Sequence, residues 1–131
     1  EAEPEFQIIH GDLSPSNIVR TELDFAPIDF SMFGLGHPML DLAGLFAQVN
    51  GLKSRQAVAA GYTEHGGVIR YDVLDACFAL AILQSIAIHL DTWSEQDWFQ
   101  SRMDRWCNQS FAPLCREERL FADDFFLIHA K

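Results

Sequence analysis

Two short apolar-rich runs open the chain, and a helical pattern follows them. Asn17-Ile-Val-Arg20 and Phe25-Ala-Pro-Ile28 flank Thr21-Glu-Leu-Asp24, a turn-forming stretch, so the runs are expected to pair as an antiparallel hairpin. Leu23 is equidistant in sequence from Asn17 and Asp29, and pairing about that centre sets these two residues opposite each other, within reach of one cation. Pro27 confines the second strand to an edge or a break. From Asp41 the apolar positions recur at helical spacing. Leu42, Leu45, Phe46 and Val49 share one face, with Asp41 as the expected N-cap and Asn50-Gly51 as the stop. Ser54 is expected to cap a second helix that ends near Gly66-Gly67. The third and longest is predicted over 71–90, and Phe78-Ala-Leu-Ala-Ile-Leu83 is apolar nearly all round, as in a central buried helix. Ser94-Glu-Gln-Asp97 has the form of a capping box with Asp in place of Glu and opens a fourth helix to about residue 110. A fifth, beyond Pro113, carries Leu114, Leu120, Phe121 and Phe125. The predicted class is α+β, mainly α: a short hairpin followed by a bundle of about five helices.

Composition narrows the function classes. With 131 residues at 49% apolar content, one compact domain can bury roughly two-thirds of its unfolded surface. A net charge of −10 with nine scattered basic residues argues against nucleic acid, whose phosphates demand clustered Lys and Arg. The acidic balance suits cationic acceptors such as amino sugars or amino alcohols. No apolar run approaches ~18 residues without a charge or break and no leader pattern is present, so no membrane partner is expected. Cys77, Cys107 and Cys115 are odd in number and widely spaced, which suggests neither zinc nor a disulfide framework but buried small residues in a reducing, cytoplasmic setting. His37, His65, His89 and His129 show no metal-ligand spacing.

The chemistry concentrates in two segments, His10-Gly-Asp-Leu-Ser-Pro-Ser-Asn17 and Ile28-Asp-Phe30. A carboxylate at Asp12 can accept a proton from an attacking hydroxyl, while the amide oxygen of Asn17 and the carboxylate of Asp29 can hold Mg²⁺ against nucleotide phosphates. A metal-dependent hydrolase built on Asp12 and Asp29 would need further carboxylates or histidines, and none is spaced to help.

Over residues 6–48 these segments resemble the catalytic core of the aminoglycoside phosphotransferase and choline kinase family, the small-molecule branch of the protein-kinase-like fold. The first is similar to that family's catalytic loop and the second to its metal-binding segment. Gly36-His-Pro-Met-Leu-Asp-Leu-Ala43 resembles its Gly-Asp-Pro, two residues, Asp-Leu-Ala stretch, departing at His37 where the family often has Asp. The resemblance implies ATP and Mg²⁺ as co-substrate and cofactor, Asp12 as the base, and Asn17 and Asp29 as metal ligands. His10 is implied to hold the loop and Asp41 to brace it from behind.

It also implies a protein-kinase-like C-terminal lobe, with 6–48 as the catalytic core and 49–131 as a helical substrate subdomain. Residues 1–5 are set aside as a linker or cloning remnant. Neither a Gly-x-Gly-x-x-Gly loop nor a strand lysine precedes Phe6, so the chain is expected to lack the N-terminal nucleotide lobe, to turn over poorly alone, and to self-associate as a homodimer or by exchange of its N-terminal strand. The acceptor is expected to be a small-molecule hydroxyl bound against the helices, with Asp91, Glu95, Asp97 and Asp104 as acidic candidates and Trp93 and Trp98 as aromatic walls. A kinase-like binding module without catalysis is the alternative of different class.

Overall fold

The computed structural model describes residues 5–49 and 51–121. Its four strands form two separate antiparallel pairs. β1 (Gln7–Ile9) pairs with β4 (Gly34–Gly36), placing Ile8 opposite Leu35, and β2 (Ile18–Arg20) pairs with β3 (Phe25–Pro27). The first pair was not expected from the sequence, since its partners lie far apart and β4 is mostly glycine. The second is the expected hairpin with a corrected register. Thr21 and Asp24 close the turn through backbone and hydroxyl bonds, so Arg20 faces Phe25 and Ile18 faces Pro27. The four-residue loop moves the centre half a residue from Leu23, and Asn17 therefore bonds to Ile28 rather than facing Asp29. Pro27 ends β3, where its missing N–H costs no ladder bond.

Helix α1 (Met39–Gln48) buries Met39, Leu42, Ala43 and Phe46, one face at helical spacing. It starts before the expected cap. Pro38 supplies a pre-set helical φ of −59°, and His37 Nδ1 accepts the Met39 N–H at 3.1 Å. Asp41 thus lies inside the first turn, which frees its carboxylate for other partners. Likewise α2 (Leu52–Glu64) follows Gly51, not Ser54. It ends as predicted, with Gly66 at φ +86° and the Gly67 N–H returning to the Tyr62 carbonyl.

Helix α3 (Tyr71–Trp93) is longer than predicted and is not buried all round. It turns Leu74, Phe78, Ala81 and Ile82 onto α1, the principal helix contact, while Leu80, Leu83, Ile88 and Leu90 stay exposed. Among the described residues it alone is long and apolar enough to cross a membrane, a stretch that run lengths on the sequence did not reveal. The box at Ser94–Asp97 does not form. Ser94 keeps helical angles (φ −61°, ψ −23°), whereas a capping residue must leave them.

The fourth helix, α4 (Phe99–Trp106), runs on through a π-type turn (Cys107–Phe111) into α5 (Ala112–Cys115). Pro113 has no N–H for Gln109 and its ring presses on that carbonyl, so widening the preceding turn accommodates it. No fifth helix carries Leu120 and Phe121. The chain leaves α5 through Glu117 at φ +60° and delivers both into the core from an irregular segment; Phe125 lies outside the described residues. Cys107 and Cys115 are exposed and Cys77 is half-buried, so the expected burial of all three is corrected.

The core centres on Phe121, whose ring meets Phe46 at 5.4 Å and Phe78 at 5.2 Å, both edge-on. Asp75 fixes that segment. Only 2% exposed, it accepts Arg119 Nε at 2.6 Å and the Phe121 N–H at 2.9 Å. Burial pushes its carboxyl above the ordinary carboxylate range, and the bonds from Arg119, Phe121 and Leu120 pull it part of the way back.

Asp75→Ala should destabilise the chain by about 2 kcal/mol in urea unfolding, because it strands the buried Phe121 N–H; a loss under about 0.5 kcal/mol would remove Asp75 from this role. The sign of the pH dependence also follows. A folded pKa above the unfolded value makes the native state hold the proton more tightly, so wild type should gain stability relative to Asp75→Asn as pH falls from 7 toward about 4. A difference independent of pH contradicts the assignment.

Candidate functional site

The site is built from the loop between β1 and β2, the loop between β3 and β4, and the first turn of α1. Asp41 ties the first loop to the helix: its two carboxylate oxygens accept the backbone N–H groups of His10 and Gly11, both at 2.8 Å. Two consecutive amides on one carboxylate form a charge-assisted pair, and the helix N-terminus favours the charge that receives them. At the next turn the backbones nearly touch. A Cβ on Gly44 would stand 3.0 Å from the Leu13 carbonyl oxygen.

His10, buried between the loops, uses both ring nitrogens. Nδ1 accepts the Asp12 N–H at 3.3 Å, and Nε2 meets the Ile28 carbonyl at 2.8 Å. The tautomer protonated on Nε2 satisfies both contacts. Its ring also packs on Phe30 at 4.6 Å. Occupied at both nitrogens, the imidazole is a joint between the loops rather than an exposed base.

That joint positions Asp29. The Ile28 N–H donates to the Asn17 carbonyl at 2.8 Å while its own carbonyl takes the His10 ring, so residue 28 is held on both sides. The next residue turns out of the strand with φ +58°, a left-handed conformation that Asp tolerates better than most. Its carboxylate is exposed. Hydrogen bonds from the Ser31 side chain and backbone hold it below the ordinary carboxylate range, with His10 contributing a smaller electrostatic pull.

Asn17 and Asp12 form the other half. Asn17 ends a single helical turn at Pro15–Asn17 and donates Nδ2 to the Asp12 carbonyl at 2.9 Å and to its carboxylate Oδ2 at 3.1 Å. Asp12 is therefore fixed from both sides, by His10 at its N–H and by Asn17 at its carboxylate, with Oδ1 left open at the exposed surface. Because Asn17 spends its NH₂ on Asp12, its amide oxygen remains as a ligand atom. Donors of this kind, an amide oxygen and an ionised carboxylate, suit a hard cation. Among the described residues no group of three or more His, Cys, Asp or Glu gathers as a metal centre, so phosphate or water oxygens would have to complete the shell. Ser14 is buried and bonds to the Ser16 hydroxyl at 2.8 Å, shaping the loop.

The acceptor candidates fall elsewhere. Trp93 and Trp98 meet at 5.5 Å, and His89 stacks on Trp93 at 4.7 Å, but the cluster closes on itself. Arg102 lies 5.8 Å from the Trp98 and Trp106 rings. Asp91, Glu95 and Asp97 are exposed around it, and the Asp104 carboxylate binds Gln100. Among the described residues no hydrogen bond, ion pair or ring contact joins any of these to Asp12, Asn17 or Asp29. Sequence reasoning had missed Ile28 and Ser31 as positioning residues: Ile28 acts through backbone groups that side-chain identity does not announce, and Ser31 acts on Asp29 through its hydroxyl and its N–H. It had also missed His37, whose ring nitrogen accepts the Met39 N–H where α1 begins.

A family model described as the phosphotransferase enzyme family matches residues 1–77, more than half of the chain. No curated protein and no solved structure matches it.

Gly11 gives a local test. It sits at φ +83°, and a Cβ there would stand 2.2 Å from the Met32 carbonyl oxygen; Gly51 has the same φ in open space. Gly51→Ala should therefore cost about 2 kcal/mol for the backbone alone, and Gly11→Ala clearly more, about 4 kcal/mol, because the loops must also separate. Equal losses in thermal or urea unfolding would mean that the two loops are not in contact at this point.

Proposed function

Because the chain belongs to the phosphotransferase enzyme family, we propose that it forms the catalytic lobe of a protein-kinase-like enzyme that moves the γ-phosphoryl of ATP to a hydroxyl of a small molecule. The observation that supports this most directly is the doubly fixed Asp12. A base for an alcohol needs one carboxylate oxygen free and the carboxylate held in one orientation, and the bonds to His10 and Asn17 leave Oδ1 in that condition. Asp12 Oδ1 would accept the hydroxyl proton as the alcohol oxygen closes on phosphorus. The Asn17 amide oxygen and the Asp29 carboxylate would hold Mg²⁺, which supplies charge neutralisation for the transferring phosphoryl group. Asp29 stays ionised well below neutral pH through its Ser31 bonds, which suits a cation ligand. His10 and Asp41 move no proton; they keep the two loops in register. The net charge of −10 favours a cationic acceptor such as an aminoglycoside or amino alcohol.

Two measurements test the proposal. Titration with Mn²⁺·ATP should broaden the NMR signals of the Asn17 side-chain amide and of Asp29 before others, and Asn17→Ala combined with Asp29→Ala should abolish that pattern. Broadening centred elsewhere places the metal outside this site. Asp12→Asn should leave the broadening in place yet lower phosphoryl transfer to a panel of hydroxyl acceptors by about a hundredfold or more. Retention of near-normal transfer would mean that another group takes the proton.

A further inference from the structure

Helix α3 has two opposite apolar faces, and the fold uses only one. Its inner face (Leu74, Phe78, Ala81, Ile82) closes on α1. On the outer face, Ala76, Leu80, Leu83, Ala87 and Leu90 recur at intervals of four, three, four and three residues. That spacing is the seam of a two-helix coiled coil, and all five residues are exposed, with Leu80 at 46%, Leu83 at 51% and Leu90 at 47%. From residue 76 to residue 90 no Asp, Glu, Lys or Arg interrupts the helix. A helix that merely borders solvent carries charge on its outer side; this one carries a seam.

We propose that the outer face of α3 binds the same face of a second copy of the chain, as an antiparallel helix pair. The seam is self-complementary in that direction. A two-fold axis near residue 85 sets Leu80 against Leu90 of the second copy and Leu83 against its Ala87, so a large residue meets a small one at the centre and leucines meet at the flanks. The antiparallel sense also keeps Asp72 and Asp91 of one copy away from the same residues of the other, whereas a parallel pair aligns them like against like. The seam with its flanking Gln84 and Ala79 is on the order of 450 Å² per copy, so the pair buries about 900 Å², the size of a weak, concentration-dependent association rather than an obligate one. This contact differs from exchange of the N-terminal strand: it lies on α3 and leaves β1 with β4.

Sedimentation velocity over about 10 µM to 1 mM tests the proposal. Wild type should pass from monomer to dimer within this range, and Leu83→Glu should weaken dimerisation tenfold or more with helical circular dichroism unchanged. Ile88→Glu, at a position on α3 that is more exposed than the seam leucines but lies off the seam, should leave dimerisation intact. Where Leu83→Glu fails to fold, Leu90→Gln, on the exposed end of the same helix, reads the same seam. A wild-type monomer throughout the range, a dimer insensitive to Leu83→Glu and Leu90→Gln, or equal disruption by Ile88→Glu would each overturn it. So would a monomer that binds neutral phosphatidylcholine vesicles through α3, which assigns the face to a bilayer.

Discussion

The carboxylate of Asp41 is the constraint from which the geometry of the site follows. Two successive backbone amides, those of His10 and Gly11, converge on its two oxygens, which fixes the plane of the peptide between them as well as its position. Once that peptide is set, the His10 ring has one place to go, and it bonds to Asp12 on one side and Ile28 on the other. Ile28 then delivers Asp29. Removing the carboxylate would leave two half-buried donors without partners and release both loops together. The charge is also well placed electrostatically, because the positive end of the α1 dipole favours an anion in the first turn.

That constraint is only as firm as α1, and α1 is firm because its opposite face is core. Phe46 packs on Phe121, Phe121 on Phe78, and Asp75 holds the Phe121 backbone from α3. A continuous set of contacts therefore runs from the last described residues through two helices to the loop between β1 and β2. Arg55 closes it at the far end of α1 by donating to the Phe46 carbonyl, one of the acceptors that a helix C-terminus leaves free.

Much of this was legible in the sequence, and the failures have physical causes. Elements with strong local signals were readable: the Thr21–Asp24 turn, the apolar face of α1, the glycine stop after α2 and the start of α3 at Tyr71. The motif around Asp12 was readable because it packs several chemical requirements into eight residues. The hairpin register was missed by one residue, since turn length rather than symmetry about Leu23 decides pairing. β1 and β4 were missed because a three-residue strand of Gly-Leu-Gly has no signal of its own and forms only where Gly36 lets it approach Ile9. The helix starts at Asp41, Ser54 and Ser94 were misplaced for a common reason: a residue that can cap was taken as one that does, when a proline, a glycine and a continuing helix decided the boundaries. Burial of α3 was overstated because apolar composition records what a face can bury, not whether a partner is there.

The site is held from behind and open in front, and this asymmetry bears on how it works. His10 and Ser14 are buried and Asp41 is half-buried, whereas Asp12 and Asp29 are exposed and the nearby Phe30, Met32, Phe33 and Leu35 stand in solvent. Asp12 is held by His10 and Asn17, and Asp29 by Ser31, from within the loops themselves; under the proposed function that orientation would cost nothing further at the moment of reaction. Electrostatic stabilisation is not yet at full strength, because charges facing water act through a high dielectric. The exposed apolar residues beside Asp29 supply the means to raise it: a layer seated on them would exclude water from the loops and strengthen any charge interaction made by Asp12 or Asp29. The division of labour follows from burial. Residues on the core side set angles, and those on the open side are left free to respond to whatever covers them.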